Sequence, residues 1–219
     1  MNKFITLEGG EGAGKSTVIP FIKEYLEALG QEVILTREPG GSKLAEDLRH
    51  ILLSQQMDVM TETLLIFASR CDHINNVIRP ALDEGKWVIC DRFTDATIAY
   101  QSSAKGLSEG IIRGLQDIVQ KEVIPGLTFV LDVPLAVGKE RKESTDININ
   151  ENTDHGEHEF DKFALESDDF KLKVLLGYKS VVKKNPQRCK LIDTSLSLDD
   201  TREQVLLMLQ QYCKKVLLA

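Results

Sequence analysis

The 219-residue chain is short of cysteine, proline and tryptophan, has no excess of basic charge, and contains no long apolar run. Its four cysteines, Cys71, Cys90, Cys189 and Cys213, are widely spaced and form no metal-ligand pattern. That spacing argues against a disulfide scaffold and for four reduced thiols in a cytosolic protein. No stretch approaches the ~18 apolar residues of a membrane span, and the opening MNKFITLEGG lacks a signal-peptide pattern. The expected location is therefore cytoplasmic, with no membrane partner. Acidic residues number 34 against 27 basic ones, a net charge of −7. A surface for polymeric nucleic acid usually shows the opposite balance, so no nucleic-acid polymer is expected as a partner. A small anionic ligand stays open, because a few arginines can still cluster locally.

Short apolar runs recur along the chain. Residues 4–8, 32–38, 86–91, 127–133 and 189–193 read as strands, and they are continuously apolar rather than alternating. Helical patterns lie between them. One runs from Lys15 to a stop at Gly30, with Pro20 awkwardly placed in its first turns. Others cover residues 43–53, 61–85 (interrupted by Pro80), 106–123, 134–143 and 197–218, the last capped by Ser197 or Asp199. Strands alternating with helices predict an α/β fold: one domain over residues 1–219, a five-stranded parallel sheet with helices on both faces. One segment differs. Residues 144–161, STDININENTDHGEHEFD, carry six acids and no Lys or Arg, and read as a mobile, solvated excursion between two helices. A lid is expected at about 143–163.

Glycine is abundant in one place. Gly9, Gly10, Gly12 and Gly14 crowd into GGEGAGKST, directly after an apolar strand and before a helix. Gly9-x4-Gly14-Lys15-Ser16 fits a phosphate-binding loop in the context that motif requires. Glycines let backbone N–H groups curl around phosphate oxygens, and the following helix N-terminus adds partial positive charge. Lys15 is then placed for the β- and γ-phosphates and Ser16 for Mg²⁺. Asp91 closes a buried strand, where a carboxylate holding Mg²⁺ belongs; a turn-forming aspartate is the competing reading. Arg92 follows it, and Arg37 ends the second strand. Both fall at the carboxyl edge of a parallel sheet, as the loop does, and suit a second anionic group beside ATP. Surface salt bridging is the alternative for these arginines.

With these residues in place, the chain resembles the thymidylate kinase family over almost its whole length. The resemblance rests on EGGEGAGKST, TREPGG, the helix holding Arg70, CDRFTDATIAYQ, LDVPLAVGKERK and LIDTSLS. TREPGG together with DRF…AYQ is much more specific than a phosphate loop alone. The resemblance implies the P-loop kinase fold, a homodimer, and ATP- and Mg²⁺-dependent phosphorylation of dTMP to dTDP. It assigns ATP binding to Gly9, Gly10, Glu11, Gly12, Ala13, Gly14, Lys15, Ser16 and Thr17, with Arg141, Asp193 and Thr194 on the adenine side. Catalysis falls to Lys15, Asp91 and Arg92, and the metal to Ser16 and Asp91. On the acceptor side, Glu11 would face the sugar 3′-hydroxyl, Arg92 and Arg37 the phosphate, and Arg70 the base edge. Pro39 would shape the pocket, Tyr100 would disfavour a 2′-hydroxyl, and Gln101 closes the motif.

The chain departs from the family in three places. Ile66 stands where a base-stacking Phe is usual, with Phe67 one position on; either the helix is shifted or the base meets an aliphatic wall. Ala96 replaces a usual Ser, with Thr97 adjacent. Gly12 leaves the loop without an arginine, yet the lid offers only Lys162, within Asp161–Ala164, or else Arg141 or Lys142 before it. These departures admit a kinase for a modified or other pyrimidine monophosphate. A regulatory ATP-binding protein without transfer is the alternative of another class, and it gives the acceptor motif nothing to do. His155 and His158 invite a metal reading, but no further Cys or His completes a site.

Overall fold

A computed structural model describes residues 2–152 and 166–218 of the chain. Five strands, β1 (Phe4–Gly9), β2 (Val33–Arg37), β3 (Trp87–Asp91), β4 (Leu127–Asp132) and β5 (Cys189–Asp193), form one all-parallel sheet in the order β2-β3-β1-β4-β5. The central strands are buried along nearly their whole length, while β2 and β5 at the edges are partly exposed. This is the doubly covered sheet expected from continuous apolar runs. All strand ends point one way, so the residues after β1, β3, β4 and β5 gather along a single edge.

Side-chain alternation divides the core between two faces. Ile5 and Leu7 pack with Val18, Ile22 and Leu26 of α1 (Lys15–Ala28) and with Val205 and Leu209 of α9 (Leu198–Leu217). Phe4, Thr6 and Glu8 point to the other face. It is covered by α3 (Val59–His73), α5 (Thr94–Thr97), α6 (Glu109–Val119) and α8 (Asp168–Lys184). The remaining helices are α2 (Lys43–Ser54), α4 (Arg79–Asp83) and α7 (Leu135–Asn152). Ser197 caps α9 by accepting from the Asp200 amide.

Some expectations change. Pro20 lies inside α1 without breaking it; as the sixth helical residue it deletes only the bond to the Ser16 carbonyl. The α-helix expected over 61–85 is interrupted ahead of Pro80, as the sequence implied. A π-helical turn, Ile74–Ile78, joins α3 to α4 and breaks the regular ladder where the ring would clash. The segment 94–104, left without helix by the sequence pattern, is α5 followed by a π-helical stretch, Ile98–Ala104. The excursion expected from Ser144 is helical backbone as far as Asn152, the end of α7. The rest of the expected lid, with Lys162, His155 and His158, lies outside the described residues.

Helix α8 meets the Ile98–Ala104 stretch at unusually short range. A Cβ on Gly177 would lie 2.6 Å from Ser103 Oγ and 2.9 Å from Ala99 Cα. Alanine would gain up to about 1 kcal/mol in helix propensity, but overpacking against backbone costs about 1–3 kcal/mol. The second effect should win: Gly177→Ala is expected to lower the thermal midpoint by several degrees, as read by calorimetry.

Candidate active site

The loop after β1 curls under positive φ at Gly9, Gly12 and Gly14, and Gly14 caps α1 with no side-chain partner for its first amides. That leaves the N–H groups of the helix start facing a cavity of about 750 Å³ lined by Glu11 to Thr17, Asp91, Arg92, Glu140, Arg141 and Lys142. Lys15 bends back over the loop, its ammonium 3.4 Å from the Gly9 carbonyl and 3.3 Å from that of Gly10. Burial, with Arg92 beside it, pulls that ammonium down to about 8, against Asp91, Glu8 and Glu11. A polyphosphate in the cavity would restore the full charge. Asp91, at the end of β3, keeps a buried Oδ1 with no hydrogen-bond partner among the described residues.

Gly12 has a structural reason to lack a side chain. Its Cβ would fall 2.0 Å from the Gly138 carbonyl oxygen, and a Cβ on Gly138 would lie 2.8 Å from the Glu11 carbonyl oxygen. The start of α7 thus rests directly on the loop. One helical turn on, Lys142 reaches back to Glu11, Nζ to Oε1 at 2.7 Å. Lys171 of α8 approaches Oε2 of the same carboxylate at 3.8 Å.

A second cavity, of about 120 Å³, opens beside the first and shares Glu11 and Arg92 with it. Pro39, Ile66, Arg70, Ala96, Thr97, Tyr100 and Gln101 line it, as the sequence led us to expect. Phe67 does not. It points into the core with Ile98, Ile112 and Val181, so the wall beside Ile66 is aliphatic, made with Leu52 and Leu53, and the aromatic lining comes from Phe93 and Tyr100. Arg37 does not reach the cavity either. It sits at the end of the edge strand β2, half exposed, and pairs with Glu46 of α2 at 3.0 Å.

Arg70 is buried and fixed. Its Nε donates to Glu38 Oε2 at 2.7 Å and its Nη2 to Thr97 Oγ1 at 3.1 Å, while Nη1 has no partner among the described residues. Thr97 Oγ1 thus accepts from Arg70, and its O–H stays available to donate beside Ala96. Glu38 also meets His73 Nδ1 at 3.0 Å. Gln101 is held by Glu62, which Lys105 pairs at 2.9 Å. Residue types alone did not single out Glu38, Arg49 or Phe93 as cavity-lining. Their only signal was membership of TREPGG and DRF and, for Arg49, a basic residue among helical leucines.

On the far side of the loop, Arg141 and Thr194 line a cavity of about 210 Å³ with Ala13, Gly14 and Thr17. Asp193 turns away from it. Its Oδ1 accepts from Ser195 Oγ at 2.6 Å and from the Ser195 amide at 2.9 Å, which holds this carboxyl below its usual range.

Beneath the loop lies a buried acid. Burial, and Asp95 after it, push the Glu8 carboxyl up to about 8, against Arg92, the Phe93 amide and the Tyr178 hydroxyl. The sequence hinted at it only as an acid ending an apolar strand.

With this geometry in view, comparison with known proteins is informative. The family model for thymidylate kinase matches residues 7–205. The thymidylate kinase of Vesicomyosocius okutanii is 46% identical over 211 residues, covering 95% of this chain and 97% of that protein. That of Pseudomonas fluorescens is 43% identical over 215 residues, covering 97% of each. A crystal structure of thymidylate kinase from Ehrlichia chaffeensis superposes with a TM-score of 0.72 at 34% identity, covering 94% of this chain and 97% of that one.

Glu8 also sets a pH dependence. A carboxyl raised from 4.5 to about 8 keeps its proton in the folded state after the unfolded chain has lost it. Its contribution to stability therefore falls as pH rises between those values. In urea titrations the stability of Glu8→Gln relative to the parent is expected to increase from pH 5.5 to pH 8; a constant difference would contradict the assignment.

Proposed function

The chain belongs to the thymidylate kinase family, and we propose that it transfers the γ-phosphoryl group of ATP directly to dTMP, giving dTDP and ADP. One observation carries the reading: two cavities, one over the phosphate loop and one walled by apolar and arginine side chains, meet at Glu11 and Arg92. A protein that binds a single nucleotide has no use for the second. The bond from the γ-phosphorus to the β-bridging oxygen breaks as a dTMP phosphate oxygen bonds to that phosphorus. What the protein must supply is in-line placement and compensation of charge on the transferring oxygens.

Lys15 and the loop amides hold the β- and γ-phosphates, and Arg92 holds the phosphate of dTMP. The donor set fits Mg²⁺: Asp91 Oδ1 is buried without a hydrogen-bond partner among the described residues, and Ser16, the second residue of α1, lines the same cavity. Ser16 and Asp91 would hold the Mg²⁺, which would supply charge compensation on the phosphates. Glu11 faces the acceptor sugar and Tyr100 packs against it. The unpartnered Arg70 Nη1 suits a carbonyl oxygen on the base, whose plane rests on Ile66 and the leucines of α2. Lys142, delivered to the loop by the Gly12–Gly138 contact, supplies the cation that Gly12 cannot. Arg141 and Thr194 flank the adenine.

We extend the reading to a cytosolic homodimer with no polymeric nucleic acid or membrane as partner. Leu44, Met60 and Leu64 are exposed on the packed helices α2 and α3, where a second copy would cover them. No helix among the described residues is long and apolar enough to cross a membrane.

Release of ADP from Mg-ATP should depend on added dTMP, and Lys15→Ala should lower it by roughly 100-fold or more. Equal ADP release with and without dTMP would overturn the kinase reading. Lys142→Ala is expected to lower kcat by roughly tenfold, less than the loss of a full oxyanion donor, with the KM for dTMP little changed. An unchanged kcat would remove Lys142 as the lid-side cation.

A further inference from the structure

Arg92 is held in part by two residues that no step of the transfer uses, Tyr178 and Glu8. Its Nη1 donates to the Gly9 carbonyl at 3.0 Å and to Tyr178 Oη at 3.0 Å. Tyr178 in turn donates to Glu8 Oε2 at 3.0 Å, and Glu8 Oε1 accepts from the Phe93 amide at 2.8 Å. Glu8 and Tyr178 are both fully buried. The chain of bonds therefore begins in β1, passes through a side chain of α8, and ends on the guanidinium at the mouth of the acceptor cavity. Among the described residues these bonds use Nη1 alone, so Nη2 and Nε remain for a planar anion. The Tyr100 ring lies under the same guanidinium, 5.2 Å from Cζ.

Tyr178 reaches this position because α8 packs so closely on the Ile98–Ala104 stretch at the neighbouring Gly177. A tyrosine is required, because the hydroxyl must accept from arginine and donate to a carboxyl oxygen at once.

We propose that Tyr178, anchored by Glu8, is a positioning residue that sets Arg92 at the angle needed to receive the acceptor's phosphate. This rests on the reading of Arg92 as the clamp for that phosphate. Tyr178 touches no substrate and acts only through Arg92, so its effect is confined to ligands that carry the phosphate group. A merely structural role would weaken nucleoside and nucleotide alike.

The test measures the KM for dTMP and the inhibition constant of thymidine in the parent enzyme, Tyr178→Phe and Arg92→Ala. Phenylalanine keeps the ring in its packed place, and a thermal melt verifies folding. With Tyr178→Phe, the KM for dTMP should rise about tenfold, the scale of one charged hydrogen bond, while thymidine binding and the KM for ATP change less than about twofold. If Tyr178→Phe leaves dTMP unaffected, or weakens thymidine equally, while Arg92→Ala selectively loses dTMP, the proposal is overturned and the clamp stands. If Arg92→Ala itself fails to separate dTMP from thymidine, the clamp and the proposal fall together.

Discussion

The site depends on one residue in a backbone conformation it would not choose. Arg92 follows the last residue of β3 and has φ 67, in the left-handed region. For a residue with a side chain this costs roughly 1 kcal/mol or more. The fold meets that cost from several sides. The Arg92 amide donates to the Leu7 carbonyl at 2.8 Å, its carbonyl accepts from Cys90 Sγ at 3.0 Å, and its guanidinium is tied to Gly9 and Tyr178. The turn separates two consecutive residues: Asp91 stays with the phosphate loop, while Arg92 lines both cavities.

The loop is similarly constrained from outside. Its conformation needs glycine at Gly12 for φ, and the close approach of α7 at Gly138 needs glycine there for space. One helical turn beyond that contact, Lys142 brings an ammonium back to the loop at Glu11. Glu11 ties the parts together: it lines both cavities and accepts charge from α7 and α8.

Much of this was legible in the sequence, for physical reasons. The strands were readable because a sheet covered on both faces demands unbroken apolar runs, and the phosphate loop because only glycine tolerates its turns. Two acceptor residues were misplaced by neighbourhood. Arg37 shares a motif with Pro39, but β2 is the sheet's edge and its last side chain turns to Glu46. Phe67 was kept as a candidate beside Ile66, but one step along a helix rotates a side chain by ~100°, and that step carries Phe67 into the core. The helical nature of 94–104 was hidden because FTDATIAYQSSA has no 3.6-residue apolar period and contains a π-helical stretch. Glu8 was hinted at only as an acid ending an apolar strand, and Tyr178 not at all. Their roles come from contacts across 170 residues of sequence, which no local pattern encodes.

If the protein works by holding two nucleotides on either side of Asp91 and Arg92, the phosphoryl group should pass between them in a single displacement. That is testable at the phosphorus atom itself, using ATP made chiral at its γ-position with sulfur and oxygen isotopes and dTMP as acceptor. The account predicts inversion of configuration in the dTDP formed. Net retention would mean two displacements through a phosphorylated side chain, and would contradict it.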